Sequence, residues 1–311
     1  MIFFFIKILI TVLFYIVLGK LTVYKIFKYK ETNLIDTSII GIISASLIPL
    51  IINFFFPLNL IVNTIFLLTI FSIFLFYGNG FAQNIASTQI QGNLKCIFSN
   101  GVPNHQIGKF PTRGNPNAFR PQNLRYCFSL KPVKNFSTTT RARVVGVTLT
   151  GIPIRPSTAG WYDPSSPRGY SMNRNSDWNL EALTPNKKIF GLDDTNAHVD
   201  KRGLYHYHGF NIYLLKKNSS LIGYAADGFE IHYLKEKTSS WQLRKGLRKT
   251  PPYGTFDGSF KQDYQYVKAS GGLDQCNGGL LNGKFVYFAT NKFPFFPRCH
   301  WGNVARDFLR P

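Results

Sequence analysis

The sequence predicts a mainly β fold: a single antiparallel, sandwich-like domain over residues 83–311, preceded by an N-terminal α-helical transmembrane region over residues 1–82. Three observations predict it. After Ala82, Gly, Pro and Asn interrupt the chain about every 8–12 residues, with short β-branched and aromatic runs between them, the pattern of an antiparallel β domain. Before that point long apolar runs dominate. All four cysteines follow Ala82, and their number is even.

The N-terminal region reads as three apolar helices at 2–19, 38–56 and 59–77, with a break near Phe56-Pro57-Leu58-Asn59. About twenty apolar residues cross a bilayer as a helix. Lys20, Lys25, Lys28 and Lys30 follow the first run. The positive-inside rule puts them in the cytoplasm, and two further crossings would leave the domain there as well. Against this, the apolar run Ile65 to Phe76 followed by Gly80-Phe81-Ala82 has the shape of a secretory signal cleaved between Ala82 and Gln83. Two readings stand. An export signal begins near Leu58, with residues 1–57 an upstream piece fused by translation from a distant start. Alternatively, residues 1–82 are a membrane anchor with one re-entrant segment. The domain is therefore expected to be membrane-anchored or exported, with a cytoplasmic orientation left open by the lysine count.

Within 83–311 the runs 142–149, 203–213, 221–226, 265–268 and 284–290 read as strands. Leu221 to Glu230 reads as a buried strand stopped by the turn Asp227-Gly228. Asp177 is a candidate N-cap for a short helix over 177–183. The cysteines contain no CxxC pair and no zinc-finger spacing. Proximity suggests the disulfides Cys96–Cys127 and Cys276–Cys299, although four cysteines allow three connectivities. Disulfides imply an oxidising compartment; four buried thiols in the cytoplasm are the alternative.

Chemistry concentrates in Gly191 to Gly209, which holds His198, His206 and His208, three of the six histidines. In Tyr205-His-Tyr-His208 the side chains alternate on a strand, so His206 and His208 share one face and Tyr205 and Tyr207 the other. Lys201-Arg202-Gly203 has hairpin-turn character and could return His198 beside that pair. The three imidazoles, with Asp193, Asp194 or Asp227 as a fourth ligand, would suit zinc, copper or iron. The structural alternative is a network in which Tyr and His side chains satisfy one another in a β core. His105 is a candidate further ligand from an upstream loop; His232 and His300 receive no role.

A second constellation, Asp274, Asn277 and Arg298, could receive a carboxylate or phosphate through the planar Arg298 fork. The preferred alternative is an Arg298–Asp274 ion pair that holds the terminal loops. Asp227 as a buried acid or base competes with the more ordinary hydrogen-bonded turn aspartate. Asp257 and Asp263 precede this group. Trp161, Tyr162, Trp178 and Trp241 would suit sugar stacking, or core packing.

The net charge of the chain is +21, and after residue 82 there are 31 basic residues against 13 acidic ones. Such a balance favours an anionic or glycan envelope ligand or a lipid surface. The bases are scattered and no nucleic-acid-binding motif is present, so nucleic acid is an improbable partner. The sequence holds no Gly-x-Ser-x-Gly elbow, phosphate-cradling loop or dinucleotide fingerprint, which argues against a nucleotide cofactor and leaves metal-assisted chemistry as the catalytic option.

Several blocks occur in a fixed order. They are Ser99 to Pro111 with Asn115-Pro-Asn117, Gly146-Val147, Gly151-Ile-Pro153, Asn196-Ala-His-Val199, Tyr205-His-Tyr-His-Gly209 and Gly223 to Phe229. Tyr253 to Gly258, Asp263-Tyr264, Leu273 to Gly278, Tyr287 to Thr290 and Phe293 to Arg298 follow. Together they resemble the YHYH-domain family over about Cys96 to Gly302. That family is defined by its motif and not by an assigned reaction. Some relatives carry a second Tyr-His-Tyr-His near the C-terminus; here Phe285-Val-Tyr-Phe288 stands in its place. The functional expectation is an exported or membrane-anchored protein binding a transition metal through clustered histidines, with metal-dependent hydrolysis or oxidation as the chemistry it would support. The alternative is a non-catalytic envelope module for an anionic or glycan ligand.

Overall fold

Eighteen short strands account for nearly all regular structure in the computed structural model, which describes residues 83–183 and 185–309. The apolar spans at 2–19, 38–56 and 59–77 and the signal-like run lie outside the described residues. Among the described residues no helix is long and apolar enough to cross a membrane.

The strands in chain order begin with β1 (Ala86–Gln91), β2 (Leu94–Ser99), β3 (Leu124–Ser129), β4 (Gly146–Thr148), β5 (Pro153–Ile154) and β6 (Ser157–Tyr162). Next come β7 (Tyr170–Ser171), β8 (Asn179–Glu181), β9 (Ala197–Val199), β10 (Tyr205–Tyr207), β11 (Leu221–Ala225) and β12 (Glu230–Tyr233). The last six are β13 (Trp241–Leu243), β14 (Leu247–Arg248), β15 (Gly254–Thr255), β16 (Tyr264–Tyr266), β17 (Gly278–Leu281) and β18 (Lys284–Ala289). Among the described residues the helices are single 3-10 turns at Asn186–Lys188, Ile212–Leu214, Lys261–Asp263 and Arg306–Phe308.

The expected antiparallel architecture needs one correction. The main sheet, ordered β17-β18-β12-β11-β4-β5-β10-β9, is mixed, because β10 runs parallel to β5 and β18 parallel to β12. Strands from distant hairpins are added beside one another, and a hairpin alone cannot make a parallel pair.

That order describes two similar halves about a central antiparallel pair. Val147 of β4 lies opposite Tyr224 of β11, flanked by Gly146–Ala225 and Thr148–Gly223. Outward from this pair, β5 and β12 occupy matching places, then β10 and β18, then β9 and β17. The parallel registers match too: Tyr207 faces Ile154, and Tyr287 faces Ile231. The β4–β5 and β11–β12 turns each contain a left-handed glycine, Gly151 (φ 77°) and Gly228 (φ 95°). A Cβ on Gly151 would lie 2.2 Å from the Ser99 Cβ, and one on Gly228 would lie 2.6 Å from the Ser129 carbonyl oxygen, so the ends of β2 and β3 exclude any side chain there. The loops into β9 and β17 also match. Asp193 Oδ1 accepts from the amides of Thr195 and Ala197, and Asp274 Oδ1 from those of Cys276 and Gly278. Asn196 (φ 61°) and Asn277 (φ 59°) both adopt left-handed backbone, which Asn tolerates better than most residues.

The β1-β2-β3 sheet packs on the centre of the main sheet, where Ile97, Tyr126 and Phe128 meet Val147 and Phe308. Phe128 stacks on Tyr224. This is the sandwich-like part of the fold. On the opposite face Ile152, Ile154, Val199, Tyr205, Tyr207, Ile231 and Tyr287 form the larger core cluster. Disulfides join Cys96 to Cys127 across β2 and β3, and Cys276 to Cys299 beside β17. Both are the proximity pairs expected from sequence.

The helix expected over 177–183 is absent: Asn179–Glu181 is strand β8. The Asn179 side chain donates to the Gly160 carbonyl at 2.8 Å, and Thr158 Oγ1 donates to the Leu180 carbonyl at 2.6 Å. These bonds hold the segment extended against β6, and so short a helix has too few internal bonds to compete.

Candidate metal centre

The β9–β10 hairpin builds the site. Asp200 Oδ1 accepts from the amides of Arg202 and Leu204, and Gly203 takes a φ of 83°, so the intervening turn is tight and side-chain braced. The turn sets His198 directly opposite His206 across the two strands. Ala197, Val199, Tyr205 and Tyr207 point into the large core cluster, leaving His198, His206 and His208 on the other face. Their ring centroids lie 4.7, 4.8 and 5.0 Å apart, and one ligand atom from each can be chosen so that all lie within 4.8 Å of one another.

Each imidazole gives its Nδ1 to a backbone carbonyl. His198 donates to Phe190 at 2.8 Å, His206 to Leu204 at 3.1 Å and His208 to Pro156 at 3.3 Å. A carbonyl only accepts, so each Nδ1 carries the proton and each Nε2 of the neutral ring carries a lone pair. His198 Nε2 and His208 Nε2 then face each other at 3.1 Å. Two lone pairs at that distance repel unless a cation lies between them. A bridging proton is disfavoured, because burial pushes His206 and His208 well below the usual imidazole range and lowers His198 as well. Carbonyl-anchored Nδ1 atoms with facing Nε2 atoms, as in His198 and His208, are the arrangement seen around histidine-bound metals, where the outer hydrogen bond fixes tautomer and orientation. Three such imidazoles suit zinc, copper or iron.

The three histidines help line a cavity of about 380 Å³, whose walls include Arg155, Arg168 and Phe190. Arg155 leaves the end of β5 and donates to Asp200 Oδ2 at 2.9 Å. Burial works against the Asp200 carboxylate, but the Arg202 amide and the Arg155 guanidinium outweigh it and hold it below its usual range.

A family model described as YHYH protein matches residues 125–302. The chain belongs to the YHYH protein family. No curated protein and no solved structure matches it. The YHYH family match begins at Arg125, so the upstream blocks at Ser99–Pro111 and Asn115–Asn117 fall outside it. They nevertheless pack on the motif: Asn115 and Asn117 both donate to the Val199 carbonyl, and His105 Nε2 meets the Tyr207 hydroxyl at 2.5 Å. His105 is thus on the tyrosine side of β10 and is no candidate for the histidine cluster. The YHYH quartet has its counterpart in Phe285-Val-Tyr-Phe288 of β18, where the sites of His206 and His208 hold Val286 and Phe288. The second half of the sheet keeps the backbone frame without the donors.

The carboxylates expected as fourth ligands are engaged elsewhere. Asp193 Oδ2 accepts from the Tyr205 hydroxyl at 2.7 Å and the Gly108 amide at 3.1 Å, on the tyrosine side of the strand. Asp194 is exposed. Asp227 Oδ2 accepts from the Tyr287 hydroxyl at 2.7 Å and the Gly302 amide at 2.9 Å, in the other half of the sheet. None of them is grouped with the three histidines. Asp193 and Asp227 instead brace the tyrosines Tyr205 and Tyr287, and burial raises the pKa of both.

The Arg298, Asp274 and Asn277 constellation is also redirected. Arg298 pairs with the buried Glu181 at 2.7 Å, not with Asp274. Asp274 Oδ2 receives the Trp301 Nε1 proton at 2.7 Å, while Asn277 bonds Ser239 and Thr290. All three are used in holding the terminal loops. Asp263 and Asp257 are taken by Arg248. Trp241 donates Nε1 to the Gln275 carbonyl and packs on Phe293. Sequence reasoning missed Arg155 and the carbonyls of Phe190 and Pro156. No spacing signal marks them, since a backbone carbonyl has no residue identity and Arg155 arrives through the parallel β5–β10 pairing.

Proposed function

We propose that this YHYH protein binds one transition-metal ion through the Nε2 atoms of His198, His206 and His208. The observation that carries the reading is the 3.1 Å approach of two Nε2 lone pairs whose partner Nδ1 atoms are both committed to carbonyls. Three protein ligands leave a coordination position for a ligand entering from the adjoining cavity. A metal there would supply Lewis acidity, or electron transfer if copper or iron is bound. The chain's own contribution is to keep the rings neutral by burial and to orient them through the Phe190, Leu204 and Pro156 carbonyls. The two disulfides support an oxidising, exported setting. Delivery by the N-terminal apolar region, as anchor or as cleaved signal, belongs to the same proposal.

The test is elemental analysis of the full chain, made in an oxidising compartment without a His-tag, beside His206→Ala/His208→Ala. About one zinc, copper or iron per chain, lost in the double variant, is the expected result. A folded chain that takes up no metal even on reloading would refute it and leave the motif as a packed hydrogen-bonded core.

A further inference from the structure

The cavity beside the histidines has more cationic donors than the protein uses. Arg155 carries five N–H donors, and among the described residues its side chain gives one hydrogen bond, to Asp200. Asp200 is shared with Arg202 at 3.4 Å and braced by two amides. The carboxylate therefore fixes the direction of the Arg155 fork while leaving donors on the cavity wall. Arg168, which lines the same cavity, is exposed, and among the described residues its guanidinium has no hydrogen-bond or ion-pair partner. Two guanidiniums against one already-engaged carboxylate leave the cavity cationic before any metal is added.

Part of the wall is apolar, formed by Phe190, Tyr170 and Met172. Phe190 and Tyr170 pack at 5.8 Å, and Met172 borders them at 77% exposure. At Gly160 a Cβ would come within 3.3 Å of the Phe190 ring, so the missing side chain keeps that ring in place. The volume of about 380 Å³ lies within the range of small-molecule sites, roughly 300–1,000 Å³.

We propose that the cavity receives a small organic anion, a carboxylate or phosphate with an aromatic or aliphatic body. Its anionic oxygens meet the free donors of Arg155 and the Arg168 guanidinium, and its body lies along Phe190, Tyr170 and Met172. His198, His206 and His208 line the same cavity, so the ligand shares it with the imidazoles. The ligand class stands on the cavity's own residues; the role of the histidines toward it rests on the metal reading above.

The test is calorimetric titration of the full chain, metal-loaded and metal-free, with benzoate, phenyl phosphate and the neutral benzyl alcohol. Metal content is measured on the same samples. The expected result is binding of at least one anion, little or none of benzyl alcohol, and affinity about fivefold or more weaker in Arg168→Gln at unchanged metal content. Arg155→Lys keeps a charge for Asp200 but removes the fork, and is expected to weaken binding as well. The relative affinities of benzoate and phenyl phosphate identify the headgroup. Equal affinity for benzyl alcohol, no binding of either anion, or an Arg168→Gln variant that binds as the parent does would overturn the proposal. Failure to load metal would refute the histidine reading separately. Anion binding by that metal-free chain, weakened in Arg168→Gln, would still support the cavity assignment.

Discussion

His198 and His208 approach through their Nε2 atoms at 3.1 Å, while the Phe190 and Pro156 carbonyls hold their Nδ1 protons. His206 lies directly across the hairpin from His198. Neutral rings so held bring two lone pairs together, a repulsion that a bound cation would relieve.

Metal should therefore raise thermal stability by mass action. At a free ion concentration of about 100 times Kd the gain is about 2.7 kcal/mol. For a β domain of this size that corresponds to roughly 5–10 °C in Tm. Scanning calorimetry with and without added metal should show this shift in the parent chain and none in His206→Ala/His208→Ala.

The metal-free chain should weaken on mild acidification. Unfolded, the three imidazoles titrate near the ordinary value of about 6.5. Folded, burial keeps them neutral to lower pH. Below about pH 6.5 the unfolded chain binds more protons, so stability is intact above that pH and falls as pH drops toward the folded-state values. Each such group contributes up to about 1.4 kcal/mol per pH unit within that window. Urea unfolding between pH 7.5 and 5.5 should show a shallower decline in the double histidine variant, and an equal decline would argue against neutral, buried imidazoles.

Asp193→Asn should leave metal stoichiometry unchanged, because the carboxylate faces Tyr205 and the Gly108 amide and not the imidazoles. It should still lower stability by about 1–3 kcal/mol, the range for disturbing a partly buried charge-assisted bond. Tyr205→Phe should cost about 1 kcal/mol or somewhat more, since Asp193 keeps its amide donors. Loss of metal in Asp193→Asn with the fold intact would restore Asp193 as a ligand.

Arg298→Met should destabilise by about 3–5 kcal/mol, because it strands the Glu181 carboxylate in the interior. Burial already pushes that carboxyl up, with Arg298 opposing the shift. Denaturant unfolding of Arg298→Met beside Arg298→Met/Glu181→Gln should show partial recovery in the double variant. If Arg298 instead served an external ligand, the single substitution would be nearly silent in stability.

The sequence was most informative where local geometry acts. Alternation in Tyr205-His-Tyr-His208 assigns the histidines to one face, because a strand has a two-residue period whatever it packs against. The Lys201–Gly203 turn returned His198 to them for the same local reason. It was least informative over 177–183, where Asp177 suggested an N-cap but side-chain bonds to β6 keep the chain extended. The similarity of the two halves of the sheet was also hidden. The halves share mainly positions that the backbone demands, such as Gly151 with Gly228 and Asn196 with Asn277, while the outward side chains differ.

By itself, then, the sequence determined the β class and the face shared by His206 and His208, suggested the disulfide pairs among three possible connectivities, and carried the ordered blocks that resemble the family. The first two follow from short-range rules, turn chemistry and strand period, and the suggested pairs rest on the separation of neighbouring cysteines. Only the tertiary structure decided that Asp193 and Asp227 brace tyrosines, that Arg298 serves Glu181, and that Arg155 lies beside the histidines. Those outcomes depend on which distant strands pair and in which register, and burial then requires every charged group to find the partner that the packing has brought within reach.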